Sequence, residues 1–262
     1  MPSVLLIGTG RLAFHLGHAL KGSGRVLAGV AGRNAEHAAT LATELGCRSF
    51  PLGAALPPAD LRILAVSDDA IGAVARNLPD DGTPLIHLSG TKSLDLLVPH
   101  AHRGVLWPIQ SFTAGGPPVD LGGVPLVIDA GDDGTLLRVR SMAEGISRHV
   151  VHLPFALRQR LHLSAVMASN FPVFLLREAE RLLAAHGIDP KLLHPLWRQS
   201  AGNALRDADA AVSGPARRGD GGTIHRHLEL LAGEPELRRA YEALSNLILH
   251  TYHPESRGRQ DL

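Results

Sequence analysis

Cysteine is almost absent from this chain: among 262 residues, only Cys47 carries a thiol. One thiol excludes an intramolecular disulfide and a cysteine-rich zinc site, and it fits a reducing cytoplasm. Cys47 itself reads as a small, buried or half-buried residue rather than a nucleophile. Lysine is nearly as scarce, since all of the 26 cationic residues except Lys21, Lys92 and Lys191 are arginine. The formal net charge is +1 and no basic run forms, so nucleic acid is not an indicated partner. Long apolar runs are missing too. No stretch has the length of a membrane span, and Met1-Pro2-Ser3 leads into a strand pattern with no signal peptide. Neither repeats nor low-complexity segments occur. Histidine is plentiful at 15 residues, yet no pair stands at ligand spacing beside a supporting carboxylate. His225 and His227, two apart, would face different sides of a helix, and no metal is expected.

The remainder has the make-up of a globular protein, 45% hydrophobic and 19% charged, with enough chain for one large domain or two modest ones. The first half alternates strand and helix patterns. Strands are expected at Val4–Ile7, Arg25–Val30, Leu61–Val66, Leu85–Leu88, Val105–Trp107 and Leu126–Asp129, with helices at Leu12–Leu20, Asn34–Leu45 and Asp69–Asn77. Near-continuous apolar strands separated by helices predict a parallel sheet covered on both faces. After about residue 154 strand signals stop. A long helical pattern runs from Phe155 to His186 and ends at Gly187, with Pro172 inside it to kink or interrupt it. Asp189-Pro190 opens a helix to about Ala211, and two more follow near Thr223–Ala232 and Glu234–His250. The expected fold is therefore α/β, a Rossmann-type mostly parallel sheet over 1–153 followed by an all-helical domain over 154–262.

The most informative stretch is Val4 to Ala13. An apolar strand ends in Gly8-Thr9-Gly10-Arg11-Leu12-Ala13 and opens a helix, the order of a dinucleotide-binding turn. Gly8 permits the tight turn, Gly10 lets backbone approach a pyrophosphate, and Ala13 keeps the helix close to the strand. The pyrophosphate would sit at the helix N-terminus, where unpaired N–H groups favour negative charge. The second strand bears on which dinucleotide binds. Its end carries Ala31-Gly32-Arg33-Asn34 and lacks the acid that bonds a ribose 2′-hydroxyl in NAD sites. Arg33 can fork onto a 2′-phosphate, and Asn34 can donate to it while capping the next helix. NADP(H) is the expected cofactor.

Four further segments carry polar groups at strand ends or on helices. Val66 and Ser67 would line the cofactor, while Asp68 and Asp69 read as helix caps. In His87-Leu88-Ser89-Gly90, Ser89 and Gly90 would fall beside the nicotinamide. Trp107-Pro-Ile-Gln110-Ser111-Phe112 is a polar-aromatic loop of the kind that touches ligands. On the helix Arg160 to Asn170, His162, Val166 and Asn170 share a face at helical spacing. Later, Arg218 and Asp220 would orient a substrate and Thr223 would cap the following helix.

With these residues in place, the chain resembles a bacterial family that joins a Rossmann-like half to a half catalogued as domain of unknown function 2520. The likeness covers nearly the whole length. It rests on Gly-Thr-Gly-Arg-Leu at 8–12, Ala-Gly-Arg at 31–33, His-x-Ser-Gly at 87–90, Ser-Asn-Phe at 169–171 and Ser-Gly-Pro-x-x-Arg-Gly-Asp at 213–220. More distantly, the chain looks like pyrroline-5-carboxylate reductase and the 6-phosphogluconate-dehydrogenase-like enzymes. The resemblance implies an NADP-binding first domain and a helical domain that forms a homodimer and completes the site near the partner. This chain departs from the family at two positions. Members commonly carry His where Trp107 stands and Tyr where Leu161 stands, which leaves fewer acid–base groups here.

The expected activity is NADP(H)-dependent reduction of a small polar carbonyl or imine. His162 would supply the proton or polarise the substrate, because an unperturbed imidazole titrates near 6.5. Asn170 would orient the substrate, Ser89 would bond its carboxylate or carbonyl, and Arg218 would bind an anionic group. The second-half helix has no lysine, which argues against lysine-based chemistry. The alternative is a non-catalytic NADP(H) sensor, since a fold alone establishes no activity. A deazaflavin as hydride partner is a third reading that no residue selects.

Overall fold

A computed structural model of the chain describes residues 2–113 and 115–256. The apolar segments of the first half become β1 (Ser3–Ile7), β2 (Val26–Gly32), β3 (Ser49–Pro51), β4 (Leu61–Leu64), β5 (Leu85–His87), β6 (Arg103–Pro108), β7 (Leu126–Ala130) and β8 (Val150–His152). They form one sheet in the order β3-β2-β1-β4-β5-β6-β7-β8. Neighbours are parallel except β6 and β7, which pair antiparallel with Leu106 opposite Ile128. Sequence reading anticipates neither the reversal nor β3 and β8. Between Pro108 and Leu126 the described residues make one 3₁₀ turn at Leu121–Gly123 and no crossover helix, and the chain returns beside β6 in the opposite direction. The two short strands lie at the sheet edges, two of three residues exposed in each, and lack the apolar run that marks a central strand.

Alternation along β1 builds the two layers. Val4 and Leu6 pack with Leu16, Leu20, Ala38, Leu41, Val139 and Met142 from α1 (Arg11–Gly22), α2 (Ala35–Leu45) and α4 (Asp133–Glu144). Leu5 and Ile7 point the other way and pack with Ile71 and Ala75 of α3 (Ile71–Arg76) and with Leu97. Cys47 lies half-buried against the first of these clusters.

Beyond β8 the chain is helical: α5 (Phe155–Ala165), α6 (Phe171–Ala185), α7 (His194–Arg206), α8 (Ala208–Ala211), α9 (Pro215–Arg218), α10 (Gly221–Leu230) and α11 (Pro235–Tyr252). The long helix expected from 155 to 186 is α5, a π turn and α6, with Pro172 in the first turn of α6. This proline has no N–H to give the preceding turn, and the chain widens into a π turn over Val166–Asn170 just before it. Gly187 takes φ +70° after α6, as a C-terminal glycine should. The expected helix from 190 to 211 is three pieces. Asp189 caps a 3₁₀ turn at Pro190–Leu193, α7 follows, and Asp207 then caps α8 through the N–H groups of Asp209 and Ala210. The capping role expected of Thr223 belongs to Asp220. Its carboxylate accepts from Thr223 N at 3.0 Å and from the Thr223 hydroxyl at 2.7 Å, leaving Asp220 engaged in the fold.

Two compact units result, Met1–Pro172 and Val173–Leu262. The first holds α5 as well as the sheet. In the second, Ala216, Ile224 and Leu228 form a core with Tyr241, Ile248 and Leu249, and the Tyr241 hydroxyl lies 2.7 Å from His227 Nδ1. No helix among the described residues is long and apolar enough to cross a membrane.

Candidate functional site

Strand order reverses between β1 and β4, so the connections leaving their carboxyl ends diverge and leave a crevice between them. Gly8 sits at its floor with φ +126°; a Cβ there would lie 2.2 Å from the Ala65 carbonyl oxygen, a clash that only glycine avoids. Gly10, next along, has open space where a Cβ would stand and no side chain capping α1. The first N–H groups of α1 therefore face solvent-accessible space, ready for an anion. The crevice holds about 650 Å³, a size suited to a ligand.

Its lining gathers Gly8, Thr9, Gly10, Arg33, Asn34, Val66 and Ser67, seven of the residues predicted to hold the cofactor. Asn34 caps α2, with Oδ1 accepting from His37 N at 2.9 Å. None of the lining side chains is a carboxylate, and both charged or chargeable ones, Arg33 and His37, come from the end of β2 and the start of α2. His37 escapes sequence reading, although its place three residues after the cap, in the first turn of α2, was available to it.

A second cluster lies at the ends of β4 and β5. Ser89 Oγ donates to Asp68 Oδ2 at 2.6 Å and accepts from the N–H groups of Thr91 and Lys92, each at 3.2 Å. The Thr91 hydroxyl adds a bond to the same carboxylate oxygen at 3.0 Å. Asp68 thus serves the Ser89–Lys92 loop and not, as expected, a helix start, where Ser67 takes the cap position. Lys92 Nζ stands 3.5 Å from Asp69.

Against this loop lie Trp107 and His162, their ring centroids 5.5 Å apart. Gly90 is wedged between them. A Cβ on it would meet the indole at 2.6 Å and His162 Cδ2 at 2.8 Å. Leu161 joins Trp107 in the small apolar cluster of Val105 and Val127. Beneath sits His87, fully buried, whose Nδ1 accepts from Ser89 N. Burial first, and then the nearby Arg158 charge, lower its pKa from 6.5 to about 4; Asp68 and the Ser93 backbone oppose them.

Residues 124–248 match the family described as domain of unknown function (DUF2520). The match begins near the start of β7, inside the sheet, and ends in α11. No curated protein matches the chain. Among solved structures, a candidate NADP oxidoreductase from Bacteroides fragilis is 27% identical, covers 95% of this chain and 98% of that one, and superposes with a TM-score of 0.85. A protein from Thermotoga maritima is 25% identical over 97% of this chain and 100% of its own, with a TM-score of 0.72. A pyrroline-5-carboxylate reductase from Streptococcus pyogenes, 16% identical, covers 95% of this chain and 98% of its own at a TM-score of 0.62; that likeness is one of fold. The Rossmann-type sheet followed by helices is therefore the fold of known oxidoreductases.

The remaining predicted residues fall outside the crevice. Arg11 is exposed at the start of α1, and Leu12 packs against the core. Ser89 belongs to the loop cluster, its hydroxyl engaged by Asp68. Asn170 ends the π turn, exposed, with Oδ1 2.9 Å from the Ser169 hydroxyl. Arg218 is an exposed residue at the end of α9, in the second unit. Missed altogether is Arg158. Its side chain is fully buried and bonds the carbonyls of Ser89 and Lys92.

The depressed pKa of His87 makes a prediction with a definite sign. Between pH 6.5 and about 4 the unfolded imidazole takes a proton that the folded one refuses, so stability is lost as pH falls through that window. The full effect is on the order of 3 kcal/mol. Denaturant unfolding at a series of pH values should show a flatter profile for His87→Gln than for the parent chain. Parallel profiles would show that His87 takes up its proton in the fold as readily as in the unfolded chain.

Proposed function

We propose that the protein is an NADP(H)-dependent oxidoreductase that reduces a small polar carbonyl or imine. One observation carries the cofactor choice. Where an NAD site would hold a carboxylate at the end of β2, this crevice presents Arg33, Asn34 and His37 and is lined by no acid. The residues present fit such a group. The uncapped start of α1 and the bare backbone at Gly10 suit a pyrophosphate, and Arg33 suits a 2′-phosphate as a forked donor. When bound, the cofactor supplies a hydride. The protein's part is to orient the acceptor and provide the proton. His162, against Trp107 and Gly90, would donate that proton to the substrate oxygen or nitrogen. Asn170 orients the substrate. Ser89, through Asp68, fixes the shape of the loop beneath it.

A non-catalytic NADP(H) sensor is the second reading. It is favoured by Trp107 and Leu161, which stand where the resembled family carries His and Tyr. The single half-buried thiol, Cys47, fits a reducing cytoplasm under either reading.

Arg33→Ala tests the cofactor assignment. NADPH affinity should fall by about tenfold or more while NADH affinity barely changes. Equal losses for both would remove Arg33 from the 2′-phosphate. Turnover separates enzyme from sensor. Steady NADPH oxidation with any member of a panel of keto acids and cyclic imines eliminates the sensor, and His162→Gln should abolish that rate with NADPH affinity intact. An unchanged rate would take His162 out of the chemistry.

We further propose that the chain works as a homodimer through its helices. Leu163, Met167 and Phe171 of the first unit are 61%, 57% and 57% exposed, and Val173, Phe174 and Leu196 of the second are 61%, 53% and 64% exposed. So much exposed apolar surface on helices supports an interface there. Sedimentation at micromolar concentration should give a dimer, which Leu163→Glu with Phe171→Glu dissociates. A monomeric parent chain would refute it.

A further inference from the structure

We propose that Arg158 is the positioning residue of this site: it locks the Ser89–Lys92 loop to α5 and so sets His162 against Gly90 and Trp107. Its guanidinium is 0% exposed. From Nη1 it donates to the Ser89 carbonyl at 3.0 Å and to the Lys92 carbonyl at 2.8 Å, gripping the loop on either side of Gly90 and Thr91. Nη2 pairs with Asp129 Oδ2 of β7 at 3.6 Å, and the plane lies 5.2 Å over the Phe155 ring. Asp129 is itself held, its other oxygen accepting from Ala130 N and standing 3.5 Å from His152. One side chain therefore joins the β5 loop, β7 and α5.

His162 is one turn further along α5, on the same face as Arg158. The contact it makes has no slack, because Gly90 leaves no room even for a methyl group between the indole and the imidazole. A shift of α5 relative to the loop must therefore move His162 relative to Trp107. Stability alone does not account for the arrangement. A buried ion pair at this distance, with Nε and Nη2 lacking hydrogen bonds, is a poor stabiliser compared with apolar side chains of similar volume. Two carbonyls bonded by one nitrogen fix a geometry that apolar packing would leave free to slide.

The inference rests on the reading that His162 serves the reacting centre, so its test reads the position of the ring and not turnover. In proton NMR of the full chain, the His162 ring resonance, identified by its loss in His162→Gln, should carry an upfield or downfield ring-current shift that Trp107→Leu removes. Arg158→Met, recorded well below its melting temperature, should lose most of that shift while NADPH affinity stays within about twofold of the parent chain. Arg158→Lys keeps the charge and can reach one carbonyl, so it should fold and restore part of the shift. It also serves if Arg158→Met does not fold, in which case its own shift must fall short of the parent value. A folded variant whose His162 resonance stays at the parent position overturns the proposal and makes Arg158 a structural ion. NADPH affinity lost in step with the shift overturns it too, since the cofactor crevice would then depend on the same side chain. Either result stands apart from the reductase reading, which turnover alone decides.

Discussion

Contact between two backbones at the strand reversal is the constraint on which the crevice depends. Gly8 leans on the Ala65 carbonyl at a distance no side chain tolerates, while its N–H bonds Ala31 and the Ala65 N–H bonds Ile7. The ends of β1, β2 and β4 are thereby fixed to one another through main-chain groups alone. With those three ends fixed, the start of α1 faces the crevice, Arg33 and His37 stand at one side of it, and Val66 and Ser67 at the other. Main-chain contacts of this kind carry no titratable group, which suits the part of a site that must bind before anything reacts.

Charge around the crevice follows a consistent pattern. A ligand rich in phosphate is repelled by carboxylates within a Debye length unless they are compensated. Asp68 and Asp69 lie directly after the Val66–Ser67 lining, yet Asp68 accepts hydrogen bonds from two hydroxyls and Asp69 stands beside the Lys92 ammonium. The hydroxyl bonds to Asp68 also shape the Ser89–Lys92 loop.

Local chemistry explains what sequence reading reaches. Gly8, Gly10 and Ala13 announce the turn because each has one steric job, and Asn34 announces a cap because its side chain bonds a backbone three residues on. The strands of the sheet centre are legible as apolar runs, whereas β3 and β8 are exposed and three residues long, beneath the reach of periodicity. Asp68 shows the opposite failure. Its sequence context is that of a cap, and only the fold brings Ser89, 21 residues on, to within bonding distance. Arg158 is harder still. In Leu-Arg-Gln-Arg it is indistinguishable from Arg160, which is exposed, and it becomes the buried member only because Asp129 and two carbonyls meet it in space.

Those long-range contacts narrow the chemistry open to the loop cluster. A proton donor must hold its proton at working pH and have it free to give. His87 fails on the first count, since burial and the Arg158 charge keep its imidazole neutral down to about pH 4. Ser89 fails on the second, its hydroxyl being bonded to Asp68 and its lone pairs occupied by two N–H groups. Trp107 and Leu161 contribute apolar surface. The Lys92 side chain is turned to Asp69, a carboxylate 98% exposed. Under the proposed function the proton falls to the imidazole of His162, which lies against Gly90 and Trp107. On that proposal the apolar Trp107 and Leu161 leave the acid–base work to one ring, and the proposed part of Arg158 is to hold the helix that carries it.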